Sequence, residues 1–339
     1  MIAELEEINV AGHGLNKGRL PFASTGRKVV AEVIAALEAG QLDLPTLPDM
    51  AVRIRDSLEN PDVSAEKLVH ILSTDPVITV HIIKAANSSA FHNGGKVNNL
   101  RDAISRLGCR MLYGMVMNIT LTKLFRANSL LVDQQLRKLW RHSREVAANC
   151  HVLAEQKNHL KPEVAMLAGL VHGIGALPLY LYADRLYMRP DQTMLEELIR
   201  GHAATIGPRL LQSWNFPAEL VDIVAGHENP LCINDPDIAD YVDVLTMANM
   251  QTQEATKAVT WKNVCAAERL GYYPGDCRNF FSSQAGQIIV IKGMLGVNVK
   301  QPVKPVQSTD AEEVRQLFPH QTQPAKSGLL NSLARLFRQ

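Results

Sequence analysis

Four histidines stand where converging helices would bring imidazoles together: His142, His172, His202 and His227. Imidazole is the commonest protein ligand for a transition metal, and a metal held between facing helices can activate water for hydrolysis. Taken singly, each histidine reads as an ordinary core or surface residue, because ligation needs companions. A second pairing, Cys150 beside His151, offers a thiol and a base. Adjacent residues on a helix point about 100° apart and cannot form a hydrogen-bonded dyad, so Cys150 reads as a buried helix cysteine. The chain contains no Walker loop, no G-x-G-x-x-G behind a strand and no G-x-S-x-G elbow.

Helices must do the positioning. Aromatic residues make up 5% of the 339, and alternating β-branched runs are nearly missing, which predicts an all-α protein. Hydrophobic residues at 46% and charged residues at 20% supply enough apolar surface for a folded core and exclude global disorder. The length corresponds to about two units at roughly 150 residues each. Lys and Arg number 35 against 34 Asp and Glu, so the net charge of +1 advertises no polyanionic partner, and any nucleic-acid role needs a local patch. Five cysteines without a C-x-x-C pair argue against a disulfide framework and against a thiolate zinc site. Glu4, Glu6 and Glu7 occupy the N-terminus without an apolar signal region, and no run of about 18 apolar residues is evident. A cytoplasmic protein without a cofactor is expected.

Along the chain, residues 1–27 lack periodicity and read as a loose arm. A helix is predicted from Lys28 to Ala39, before the stiff segment Leu44-Pro45-Thr46-Leu47-Pro48. Ser64, Asp75-Pro76 and Asn99 are start signals for short helices. The longest predicted helix runs from about Asp133 to Lys157 and forms a spine between two halves of a helical bundle. Beyond it, helices are expected over Ala165–Leu177, Met194–Arg200, His202–Trp214, Pro217–Ala225 and Asp237–Met250. Residues 256–297 form a helical extension, and 298–328 have a linker composition. In the last segment, 329–339, Leu329, Leu330, Leu333, Leu336 and Phe337 share one face, opposite Asn331, Arg335 and Arg338. It reads as a capping helix or as a tether to a partner or a membrane surface. The basic clusters Lys123-Leu124-Phe125-Arg126 and Lys157-Asn158-His159-Leu160-Lys161 read as solvated faces.

Several phrases carry a family likeness. Leu44-Pro45-Thr46-Leu47-Pro48, Asp75-Pro76, Ala86-Asn87-Ser88-Ser89-Ala90-Phe91 and Ala103-Ile104-Ser105-Arg106-Leu107-Gly108 resemble those of the HDOD family, the HD-related output domains. The likeness continues through Trp140-Arg141-His142-Ser143, Leu167 to Gly175, His202 to Gly207, Leu210 to Trp214 and Gly226-His227-Glu228-Asn229-Pro230. It spans about residues 40–252. It implies a domain over 28–255, with an N-terminal helical half at about 40–130 and an HD-like half at about 131–255. It also implies kinship with HD and HD-GYP phosphohydrolases, whose metals are held by a His, a His-Asp pair and a later Asp.

Carried over by position, the first His corresponds to His142 and the His of the pair to His172. The pair's Asp is Gly173 and the late Asp is Asn249. The extra histidines of the HD-GYP version correspond to His202 and His227. A hard divalent cation needs anionic oxygen ligands, which Gly173 lacks and Asn249 replaces with a neutral carbonyl. No catalytic residue and no metal site is therefore expected. What remains are candidate ligand or partner contacts at Asn87, Ser88, His172 and His227. The resemblance implies a non-enzymatic bacterial signalling scaffold that works through protein partners, with a nucleotide or cyclic dinucleotide as candidate ligand. Two alternatives stay open: a phosphohydrolase with a rearranged histidine site, and a nucleic-acid-binding regulator.

Overall fold

Our computed structural model describes residues 45–58, 64–89, 91, 94–185, 192–227, 238–254, 265–273 and 276–297, together with the single residues 35 and 39. All of these belong to one unit that ends at Asn298. The predicted helix before Ala39, the arm, the linker and the C-terminal tether residues lie essentially outside the described residues.

Local signals start the helices as expected. Ser64 Oγ accepts from Lys67 N at 3.2 Å to begin α2, Ala65–Leu72, which follows α1, Asp49–Leu58. Asp75 Oδ1 accepts from Val77 N and Ile78 N at 2.9 and 3.1 Å, and Pro76 stands at the first position of α3, Pro76–Ala86. Asn99 Oδ1 does the same for Asp102 N at the head of α4, Leu100–Leu107. Each such cap contributes about 1 kcal/mol by satisfying an otherwise orphaned N–H. Gly108, at φ 77°, then turns the chain into α5, Cys109–Leu121.

The spine is α6, Leu130–Glu155, at 26 residues. Its C-terminal half is buried all round, from Val146 to Ala154, as befits a helix at the centre of a bundle rather than on its surface. It packs most extensively on α7, Pro162–Val171, and also against α8, Ala176–Arg185, α11, Tyr241–Glu254, and α14, Ala285–Met294. The α6–α7 crossing is close because Gly169 has no side chain: a Cβ there would lie 2.6 Å from Ala147 Cα. After α8 in sequence, α9, Gln192–Ser213, packs on α8 and on α10, Ala218–Gly226. Trp214 follows α9 and its Nε1 donates to Pro45 O at 2.8 Å, which ties the stiff N-terminal segment to the HD-like half.

Three predicted features differ. The helix expected over Ala165–Leu177 ends at Val171, turns through His172–Gly175 and restarts as α8. The two helices expected on either side of Gly201 are one, and Pro208 lies inside it. The run Pro162–Arg185 is apolar enough by length and composition to cross a membrane, with mean hydropathy 1.8 in its best window, so the expectation of no such run does not hold. That window is 83% buried inside the protein, which makes the run a core element.

The helical extension is built into the body. In α12, Cys265–Arg269, the guanidinium of Arg269 binds both carboxylate oxygens of Asp243, with Nε at 3.0 and 2.9 Å. Asp243 is 1% exposed, so this pair is a buried fastener between α12 and α11. After α13, Asp276–Ser283, α14 lies along α6, and the carbonyl of Leu295 accepts from Arg144 Nη1 at 3.0 Å and Asn118 Nδ2 at 3.3 Å. Among the described residues there is no β-strand.

Candidate functional site

Three of the four predicted histidines meet. His142 comes from the middle of α6, His172 caps the C-terminus of α7 and His227 caps the C-terminus of α10. The ring centroids of His142 and His172 are 5.3 Å apart, and those of His172 and His227 are also 5.3 Å apart, both edge to face. His172 keeps a helical backbone at the end of α7, with φ −57° and ψ −37°, and the chain turns only after it. His202, on α9, makes no ring contact with the three among the described residues, and it is half-buried.

The hydrogen bonds fix the rings. His172 Nδ1 donates to Gly169 O at 2.8 Å and His227 Nδ1 donates to Val224 O at 2.6 Å, since a carbonyl can only accept. His142 Nε2 lies 3.0 Å from Asn249 Oδ1 on α11. Burial drives the His172 pKa well below its ordinary value, and the neighbouring His142 and His227 add to that. Burial also lowers His142, although the bond to Asn249 opposes it. Both rings are therefore neutral at neutral pH.

The residues present do not fit the hard divalent cation of an HD phosphohydrolase. Gly173, where the resemblance implies a carboxylate, has Leu139 and Ser143 in the space beside it: a Cβ would meet Leu139 Cδ1 at 3.0 Å and Ser143 Oγ at 3.5 Å. Asn249 turns its amide oxygen to His142 and brings no negative charge. Among the described residues, no group of three or more His, Cys, Asp or Glu side chains is arranged to hold a metal ion. Neutral imidazoles alone do not retain Mg²⁺ or Mn²⁺.

The remaining predicted contacts are dispersed. Asn87 bridges a turn: its Nδ2 donates to Ile83 O at 2.9 Å and Val97 O at 2.7 Å, and its Oδ1 accepts from Val97 N at 2.9 Å. Both amide hydrogens are engaged inside the fold, so Asn87 is a structural residue and not a ligand contact. Ser88 Oγ is buried without a hydrogen-bond partner. Cys150 is fully buried and its thiol pKa is pushed up by burial, which keeps it protonated and unreactive. Sequence reasoning passed over Leu139 and Ser143, which fill the place beside Gly173. Leu139 belongs to the apolar periodicity of α6, but nothing in its spacing tells which neighbour it meets.

Comparison with known proteins supports the helical fold. The HDOD domain profile matches residues 44–230. A protein of uncharacterised function from Treponema pallidum (strain Nichols) is 23% identical over 202 residues, 55% of this chain and 38% of its own length, so the chain spans about two fifths of that curated relative. Among solved structures, a candidate metal-dependent phosphohydrolase from Shewanella amazonensis SB2B is 26% identical, with a TM-score of 0.69 over 80% of this chain and 99% of that one. An HDOD domain protein of unknown function from Geobacter sulfurreducens has a TM-score of 0.59 at 20% identity, over 80% of this chain and 98% of its own.

Proposed function

The chain belongs to the HDOD domain family, and from that premise we propose that it is a non-catalytic regulatory module, a degenerate HD domain that acts through protein contacts. The observation that carries this reading is the place at Gly173. An HD hydrolase needs a carboxylate there to hold its metal and to lower the pKa of bound water. Gly173 offers no ligand, a Cβ added there would press on Leu139 Cδ1 at 3.0 Å, and burial holds the His142 and His172 rings neutral. Buried imidazoles held neutral at His142 and His172 pack helices together and bring no positive charge to a phosphate.

The chain then works in the cytoplasm by presenting a helical surface to a signalling partner, and the amphipathic residues Leu329 to Phe337 supply a tether. The name of the Shewanella amazonensis relative favours a second reading, a phosphohydrolase with a rearranged histidine site. Turnover assays separate the two. The purified full chain is incubated with Mg²⁺, Mn²⁺ or Fe²⁺ and offered cyclic dinucleotides, nucleoside phosphates and a chromogenic phosphodiester. No turnover above the metal-only blank is expected. Turnover that disappears in His172→Ala would overturn the proposal.

A further inference from the structure

One side of α6 gathers cations. Arg137, Lys138, Arg141 and Arg144 on α6, with Arg126 just before it, line a cavity of about 410 Å³. Positions 137, 141 and 144 are spaced i, i+4 and i+7, which puts them on one helix face, and 138 borders that face on the side toward 142. The buried rings of Phe125 and Trp140 stack at 4.5 Å in its wall, and Gly296 and Val297 close one side. A second hollow of about 600 Å³ shares Thr122, Arg126, Arg144 and Gly296 with the first and adds His81 and Lys123, so the two are continuous.

Neither hollow is lined by a carboxylate. Asp133 engages Arg137 at 2.6 Å and approaches Arg126 at 4.0 Å, which leaves Lys138, Arg141 and Arg144 without an ion pair among the described residues. Arg144 is the strongest sign of a missing anion. Its Nη1 donates to the carbonyls of Leu295 and Gly296 at 3.0 and 3.2 Å, and its Nε is buried without any partner. Burial and then the neighbouring Arg141 work against its charge, and Glu145 works for it. A half-buried guanidinium whose hydrogen bonds go only to carbonyls, with Arg141 beside it and Glu145 offsetting it in part, leaves room for a bound anion to stabilise.

We propose that this groove binds a phosphorylated small molecule of nucleotide size, with its phosphates on Lys138, Arg141 and Arg144. Guanidinium forks match phosphate oxygens in pairs, and a cavity of several hundred Å³ suits a small ligand. A nucleic-acid strand is disfavoured, because strand binding uses exposed aromatic platforms, whereas Phe125 and Trp140 are each 2% exposed. The site shares no residue with the histidine cluster, so it stands or falls separately from the reading of that cluster.

Isothermal titration of the full chain with pyrophosphate and with a nucleoside triphosphate tests this. Both ligands are expected to bind one per chain, and to weaken as salt rises from about 0.05 to 0.2 M. Arg141→Glu, at an exposed position that leaves helix content and the unfolding midpoint unchanged, should weaken both by about tenfold or more, the equivalent of 1.4 kcal/mol. Lys138→Ala is a second variant with the same sign. Three results would overturn the proposal: no heat with either ligand at low salt, binding indifferent to both substitutions, or binding of a single-stranded oligonucleotide without binding of the mononucleotide.

Discussion

His142 Nε2 and Asn249 Oδ1 are 3.0 Å apart, joining α6 to α11 across 107 residues of sequence. In a metal-dependent HD enzyme the corresponding positions are implied to meet through a cation. Here they meet directly, and a neutral amide takes the place of a carboxylate. The charge of this contact follows from one atom of difference, which makes it testable.

Asn249→Asp supplies that charge. A carboxylate about 3 Å from an imidazole stabilises the imidazolium, so the His142 pKa should rise by about one pH unit or more. Proton NMR of the His142 ring through a pH titration measures it. An unchanged titration would separate the two residues in solution.

Protonation of the cluster should unfold the protein gradually. An unfolded histidine titrates near 6.5, whereas folded His172 is held well below that, so the unfolded state binds more protons as pH falls. The sign follows: stability from this residue is complete above about 6.5 and is lost as pH drops through the lowered folded pKa. His142 acts in the same direction. Urea midpoints should be flat from about pH 8 to 7 and fall below about 6.5, with a shallower fall in His172→Gln. A midpoint rising toward pH 5 would contradict a buried neutral ring.

Gly175 and Gly207 should respond oppositely to alanine. A Cβ on Gly175 would lie 2.0 Å from Ala203 O and 2.5 Å from Gly207 N, and backbone cannot step aside cheaply. Gly175→Ala is expected to cost about 3 kcal/mol or more by forcing α8 from α9. A Cβ on Gly207 meets nothing nearer than 3.5 Å, so Gly207→Ala should be neutral or gain up to about 1 kcal/mol from helix propensity. Chemical denaturation of both variants decides it, and equal effects would refute the close approach.

Arg269→Ala leaves Asp243 buried and uncompensated. Removing one partner of such a pair costs about 3–5 kcal/mol. The measured loss should be larger than for Arg101→Ala, which breaks only an exposed pair with Glu66. Similar losses for both would place Asp243 in water.

Much of this fold is legible in residue order. Asp75-Pro76, Ser64 and Asn99 start helices because their side chains and the fixed proline φ act within one turn, and the spine shows itself through apolar spacing over some seven turns. The readings that fail are those where neighbours decide. Gly201 looks like a stop, yet α9 runs through it. The helix read through Gly173 and Gly175 ends at Val171, while the close backbone approach that Gly175 permits is made to α9. The histidine cluster was legible as chemistry in three members, but the absent contact of His202 depends on packing alone. The basic groove is half legible: the spacing of Arg137, Arg141 and Arg144 stands in the sequence, but only the fold brings Arg126, Gly296 and Val297 to the same hollow.

The cluster around His172 is expected to hold no catalytic metal, and metal stoichiometry tests this most directly. The full chain is equilibrated with Mn²⁺, Fe²⁺ and Zn²⁺, dialysed and measured by plasma mass spectrometry beside His172→Ala. The expected result is well below one ion per chain and no difference between the two proteins. One or more tightly held ions per chain, lost in His172→Ala, would contradict the account.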